Sequence, residues 1–190
     1  ERWREYLEYH QASGEDVDKA KDRAARFRVL VVDHVTPTPD QDSGSVDIYN
    51  MFLLLREMGF QITFIPEDNY LYVPQYTSDL QRIGVEVLFA PYCTSVEQHL
   101  QVHGGRYDLV FLFRAGVVHK HLANVRKYCV RAKVLYHTVD LHHLRMIREA
   151  KLLNDPAKEK EAERIKNIEI EGIRSVDMAT VVSSAELDLL

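Results

Sequence analysis

Asp108-Leu109-Val110-Phe111-Leu112-Phe113 is an unbroken apolar run behind a single acid, and its reading decides the fold class. A strand with one wet face alternates apolar and polar residues, whereas a run without alternation suits a strand covered on both faces, as in a parallel sheet. Five further runs share this character: Val29 to Val35, Gln61 to Pro66, Val85 to Pro91, Lys133 to Val139 and Met178 to Ser183. The segments between them are long enough for crossover helices. The first helix is read as starting at an N-cap, Ser45, with Asp47 in its first turn, apolar positions Ile48, Phe52 and Leu55, and Gly59 closing it. Residues 74–83, 95–104 and 117–128 supply the next three connections. Residues 140–153 and 158–174, separated by Asn154-Asp155-Pro156, read as a helix pair. The expected fold is α/β: a doubly wound, Rossmann-like, mostly parallel six-stranded sheet with helices on both faces and strand order 3-2-1-4-5-6.

At 190 residues, 46% hydrophobic and 28% charged, the chain is long enough for one well-buried domain. Residues 1–26 are rich in charge and read as a solvated helix or a linker from an upstream region, leaving 27–190 as the domain. The chain opens on Glu1 and stops on what reads as a helix start, Ala185 to Leu190, so both ends are expected to be cut from a longer protein. A formal charge of -5 gives no electrostatic footprint for nucleic acid. The two cysteines, Cys93 and Cys129, have no metal-ligand spacing, which leaves no metal, no disulfide framework and a cytoplasmic default. Val29 to Val32 is far too short to span a bilayer.

In an open parallel sheet, ligands sit beyond the carboxyl ends of the strands, where the strand order reverses. That rule selects the loop 33–45, then Arg114-Ala115-Gly116, then His137 to His143. Ser43-Gly44-Ser45 opens a helix, where unpaired amides and the dipole favour a phosphate or sugar hydroxyls; the plain alternative is an ordinary cap with a turn glycine. His137, Asp140, His142 and His143 crowd one strand end, with a proton-transfer or hydrogen-bonding role set against capping by Asp140 and exposed helix positions for the two later histidines. Arg114 suits phosphate or carboxylate recognition, or an internal ion pair. His119 and His121 read as surface residues. No G-x-G-x-x-G follows the first strand and no P-loop is present, so dinucleotide and P-loop chemistry lose their main support.

Several stretches together resemble a family. Asp42 to Ser45, Leu53 to Pro66, Leu80 to Val87, Tyr107 to Val110, Val134 to His142 and Val176 to Glu186 look like the amino-terminal domain of family-4-like bacterial glycosyltransferases of the GT-B type. The resemblance spans about residues 28–190. It implies the acceptor-side half of a GT-B fold, acting in polysaccharide biosynthesis by transferring a sugar from a nucleotide-sugar donor to a carbohydrate or lipid-linked acceptor. A downstream domain would grip the donor, so the fragment alone would be inactive. It further implies no cofactor beyond the nucleotide-sugar cosubstrate, substrate binding by Gly44 in the glycine loop, catalytic roles for His137 and Asp140, and peripheral membrane association of the full-length enzyme. The reading of the residues themselves adds Arg114 as a catalytic candidate and Ser43, Ser45, His142 and His143 as substrate-binding candidates. Many relatives carry a histidine where this chain has Arg114. The alternatives are a noncatalytic sugar- or nucleotide-binding module and a receiver-like domain suggested by Val29 to Asp33. The receiver reading lacks the paired acids after the first strand and the phosphorylatable Asp after the third.

Overall fold

The computed structural model describes residues 2–8, 10, 17–23 and 25–190. Six strands form one sheet: β1 (Phe27–Asp33), β2 (Phe60–Pro66), β3 (Val85–Val87), β4 (Leu109–Phe113), β5 (Lys133–His137) and β6 (Met178–Thr180). Their order is β3-β2-β1-β4-β5-β6, and every neighbouring pair is parallel. The helices are α1 (Arg4–Glu8), α2 (Val17–Lys21), α3 (Ser43–Glu57), α4 (Pro74–Arg82), α5 (Val96–His103), α6 (Ala115–Tyr128), α7 (His142–Leu153), α8 (Pro156–Ser175) and α9 (Ser184–Leu187). The protein is therefore a Rossmann-like α/β fold.

Strand alternation sorts the core into two layers. Val29, Val31, Phe64, Phe111 and Phe113 face Ile48, Phe52 and Leu55 of α3 and Leu80 of α4. Leu30, Val32, Val110, Leu112, Val134 and Tyr136 face Leu100 of α5 and Val117, Val118 and Val125 of α6. Burying each such side chain contributes about 1.5–3 kcal/mol, so a strand with no polar face is held from both sides. The reversal of direction in the strand order falls between β1 and β4, which opens a crevice beyond their carboxyl ends.

Several boundaries differ from the sequence reading: β1 and β5 stop at Asp33 and His137, short of the expected Val35 and Val139. The third strand stops at Val87, and the expected stretch to Pro91 turns away through a cis Ala90–Pro91 bond. The sixth stops at Thr180 rather than Ser183. α3 is capped by Asp42, not Ser45: the Asp42 Oδ1 accepts the Ser45 amide at 2.8 Å, which moves the helix start three residues earlier.

The charged leader is also tied down. Asp22, 2% exposed, accepts Arg28 Nε at 3.0 Å and Arg106 Nη2 at 3.2 Å. Arg106 Nη1 lies 2.7 Å from Asp18, and Lys21 pairs with Glu86. Residues 17–23 thus pack on the amino-terminal edge of the sheet as part of the domain. A charge-rich composition reads as solvated because pairing between distant segments leaves no local signature.

Candidate functional site

β1 ends in Asp33 and β4 ends at Arg114, the two sides of the crevice. Arg114 takes φ 74° and ψ 143°, a positive-φ backbone uncommon outside glycine, while its amide still joins the ladder through His137 O at 2.9 Å. Its Nε donates to Asp33 Oδ1 at 2.9 Å. Burial pushes the Asp33 carboxyl above its usual range, against the pull of the Arg114 guanidinium and the His34 amide. Among the described residues the guanidinium has that one hydrogen bond, so its Nη groups are uncommitted.

Arg114 is also the N-cap of α6, and no side chain caps that helix. The first amides of α6 therefore stay open, with the positive end of the helix dipole behind them. In front lies a cavity of about 210 Å³ lined by Arg114, Ala115, Gly116, Thr138, Asp140, His142, Ile165 and Glu169. A Cβ built on Gly116 would meet nothing within 4 Å.

The far wall is α7 and α8. Asp140 does not cap α7; the N-cap is Leu141, without a side-chain cap bond. The cap comes instead from Glu169 of α8, 1% exposed, which accepts the His142 amide at 2.8 Å, the His143 amide at 3.4 Å and His143 Nδ1. His143 is thus buried in a structural bond rather than exposed, and His142 alone of the pair reaches solvent, against Arg145. Asp140 lies 3.3 Å from Arg145. Both acids of the cavity are therefore partnered, whereas the Arg114 fork is half free.

His137 sits inward of this wall. Its Nδ1 is 2.8 Å from Thr180 Oγ1, its ring packs edge-on to Phe113 at 5.1 Å, and its Nε2 is buried without a partner. Burial pulls its pKa down.

The α3 start closes where the sequence suggested an opening. A Cβ at Gly44 would lie 2.8 Å from Val139 Cγ1 and 3.5 Å from Arg114 Nη2. The glycine serves close packing between loops, and the Asp42 carboxylate already occupies the amide seat expected for an anion around Ser43, Gly44 and Ser45. The same carboxylate is held below its usual range by the Ser45 hydroxyl and amide. Val139 makes that contact at φ 66°, an outlier for a β-branched residue. Loop 42–45, Arg114 and the 137–142 segment therefore meet at one point.

Sequence reasoning missed Glu67. This glutamate, 5% exposed just past β2, faces His34 Nδ1 at 3.3 Å, His121 Nε2 at 3.1 Å and Lys120. His121 is consequently buried rather than on the surface. Its place one residue beyond a buried strand, level with His34, was the available signal. Among the described residues no group of three His, Cys, Asp or Glu is placed to hold a metal ion.

Comparison with known proteins bears on the expected activity. No family model matches the chain, and no curated protein matches it. Among solved structures, a match is HmdII from Desulfurobacterium thermolithotrophum, reconstituted with Fe-guanylylpyridinol cofactor and co-crystallized with methenyl-tetrahydrofolate. Identity is 13% and the TM-score 0.42, over 83% of this chain and 55% of that one. The chain thus spans about half the length of that structure. At this identity the likeness extends to the fold alone. The glycosyltransferase reading is corrected accordingly: no family model and no curated protein supports it, and the structure named above is not a glycosyltransferase. With it go the transferase activity, the polysaccharide role, the nucleotide-sugar and carbohydrate partners, and the expectation of a chain without a cofactor. The short stretches that suggested the family are those any Rossmann-like domain needs: an apolar strand, a loop glycine, a helix start.

Proposed function

We propose that this chain is a small-molecule-binding domain that takes an anionic group, phosphate or carboxylate, at the β1/β4 crevice, on the first amides of α6 and the free edge of Arg114. The observation that carries this reading is Arg114 itself. A non-glycine residue with φ 74° costs on the order of 1–3 kcal/mol, and here that strain falls at an open helix end beside a cavity that Arg114 itself lines. An arginine is suited to the task because its planar donors match two oxygens at once. Thr138 and His142 line the same cavity, and His137, bonded to Thr180, holds the segment that carries them. Asp33 anchors the guanidinium so that binding need not order it. Two free, buried cysteines fit a reducing, cytoplasmic setting.

The experiment is a titration with inorganic phosphate and with succinate, followed by amide shifts of the protein. Saturable shifts centred on Ala115 and Gly116 are expected, together with a rise in Tm. Gly116→Leu places a side chain in open space at the cavity mouth without touching the core, so it should abolish those shifts and leave the fold intact. Shifts scattered over the surface, or equal in Gly116→Leu, would refute the reading.

A further inference from the structure

On the opposite side of the sheet from α6, the loop after β1 arches over α3 and α4 and leaves a second cavity, of about 240 Å³. Its walls are Pro37, Pro39, Tyr49 and Tyr76, and two carboxylates, Asp40 and Asp79, stand at it. Tyr76 is not free to swing: its Oη donates to Asp40 Oδ2 at 3.0 Å and accepts from Gln41 Nε2 at 2.9 Å. One carboxylate is thereby tied to an aromatic wall.

The charge is unbalanced. Asp79 pairs with Arg82, an i,i+3 contact whose arginine side chain is 75% exposed and so screens it weakly. Asp40 pairs with no cation among the described residues; its partner is a neutral phenol. An apolar, tyrosine-bearing recess with uncompensated negative charge disfavours anions and offers little to an uncharged polar ligand. It is also poorly suited to a small, strongly hydrated metal ion, which would have to shed water against prolines. The chemistry that satisfies both features is a positive charge wrapped in methyl or methylene groups, held by ring faces and by long-range attraction to carboxylates.

We infer that this cavity binds a small organic ammonium ion, a quaternary or alkylated amine, independently of the anion site at α6. The test compares choline with 3,3-dimethyl-1-butanol, which has the same shape without the charge, by calorimetry and by amide shifts on the intact chain. Choline is expected to bind with shifts confined to residues 37–41, 49 and 75–80, and the neutral analogue to bind at least about fivefold more weakly, the scale of a partly exposed cation–aromatic contact. Asp40→Asn and Tyr76→Leu should each weaken choline by a similar factor. Tyr76→Phe, which keeps the ring and loses the tie to Asp40, should fall between Tyr76→Leu and the wild type. Thermal unfolding of each variant verifies that the fold is kept, and because Asp40 is exposed, Asp40→Asn remains decisive if the tyrosine variants unfold. Equal binding of the two ligands, no binding of either at millimolar concentration, or shifts elsewhere on the molecule would overturn the assignment. So would binding to phosphatidylcholine vesicles without binding to free choline.

Discussion

Gly44 and Val139 meet at 2.8 Å from a hypothetical Cβ, and the two residues define each other. Val139 holds a backbone conformation that a β-branched residue normally avoids, and Gly44 supplies the space that lets its side chain pack against α3. Gly44→Ala should therefore cost about 1–3 kcal/mol by overpacking. Val139→Gly removes both the clash and the backbone strain, at the expense of a half-buried valine. In the Val139→Gly background, Gly44→Ala is expected to be nearly neutral, so that denaturant titrations of the four proteins give a coupling of at least about 1 kcal/mol. Additive costs would show that the close approach of Val139 is not what requires glycine at position 44. The sequence marked Gly44 as special but could not say why: a glycine that admits a ligand and one that admits a neighbouring side chain look alike, and Val139 lies far off in the chain.

At the scale of elements, α7 depends on α8. Its first amides are satisfied by Glu169, a buried carboxylate from the partner helix of the hairpin, and His143 completes the bond. Glu169→Gln keeps the size but replaces one acceptor oxygen with a donor facing the His142 and His143 amides. Loss of about 2–4 kcal/mol is expected, with faster hydrogen exchange at His142 and His143 than in the body of α8. Unchanged exchange there would mean that α7 is capped by other means. The strands were legible because buried parallel strands are written as continuous apolar runs, and their order was taken by analogy to Rossmann-like folds. The helix caps were not. Asp42 rather than Ser45, and Glu169 rather than Asp140, cap their helices, since a cap is chosen by which oxygen reaches the amides, and in the second case that oxygen is 26 or more residues away. The same limit hid Glu67, and it hid the Arg114 ion pair with Asp33, a residue 81 positions away in the chain.

Over the whole molecule, two clusters of partnered charges lie at opposite ends of the strands. At the carboxyl edge Asp33, Glu67 and Glu169 are partnered around the crevice; at the amino edge Asp18, Asp22, Lys21, Arg28, Arg106 and Glu86 bind the leader to the domain. Close to that second cluster, His99 Nε2 lies 2.6 Å from Tyr107 Oη, and burial, with His103 and Arg106 nearby, pulls the His99 pKa from 6.5 to about 4. A histidine whose pKa is depressed on folding favours the folded state above its unfolded value of 6.5, and the benefit is lost as pH falls from there toward about 4, because only the unfolded chain takes up the proton. The ceiling on this contribution is about 3 kcal/mol. Asp18, held near 2 by Arg106 and Lys21 against the opposing effect of burial, keeps its charge throughout that window, so the leader stays attached while His99 titrates. Glu67, also lowered, loses stability in the same direction, whereas Asp33, raised by burial, works in the opposite one. His99→Gln separates these contributions, since glutamine keeps an acceptor for Tyr107 and does not titrate. The difference in unfolding free energy between pH 7 and pH 4 should shrink by about 2–3 kcal/mol in the variant. An unchanged difference would place the acid sensitivity of this fold at Glu67 and the crevice rather than at the amino edge.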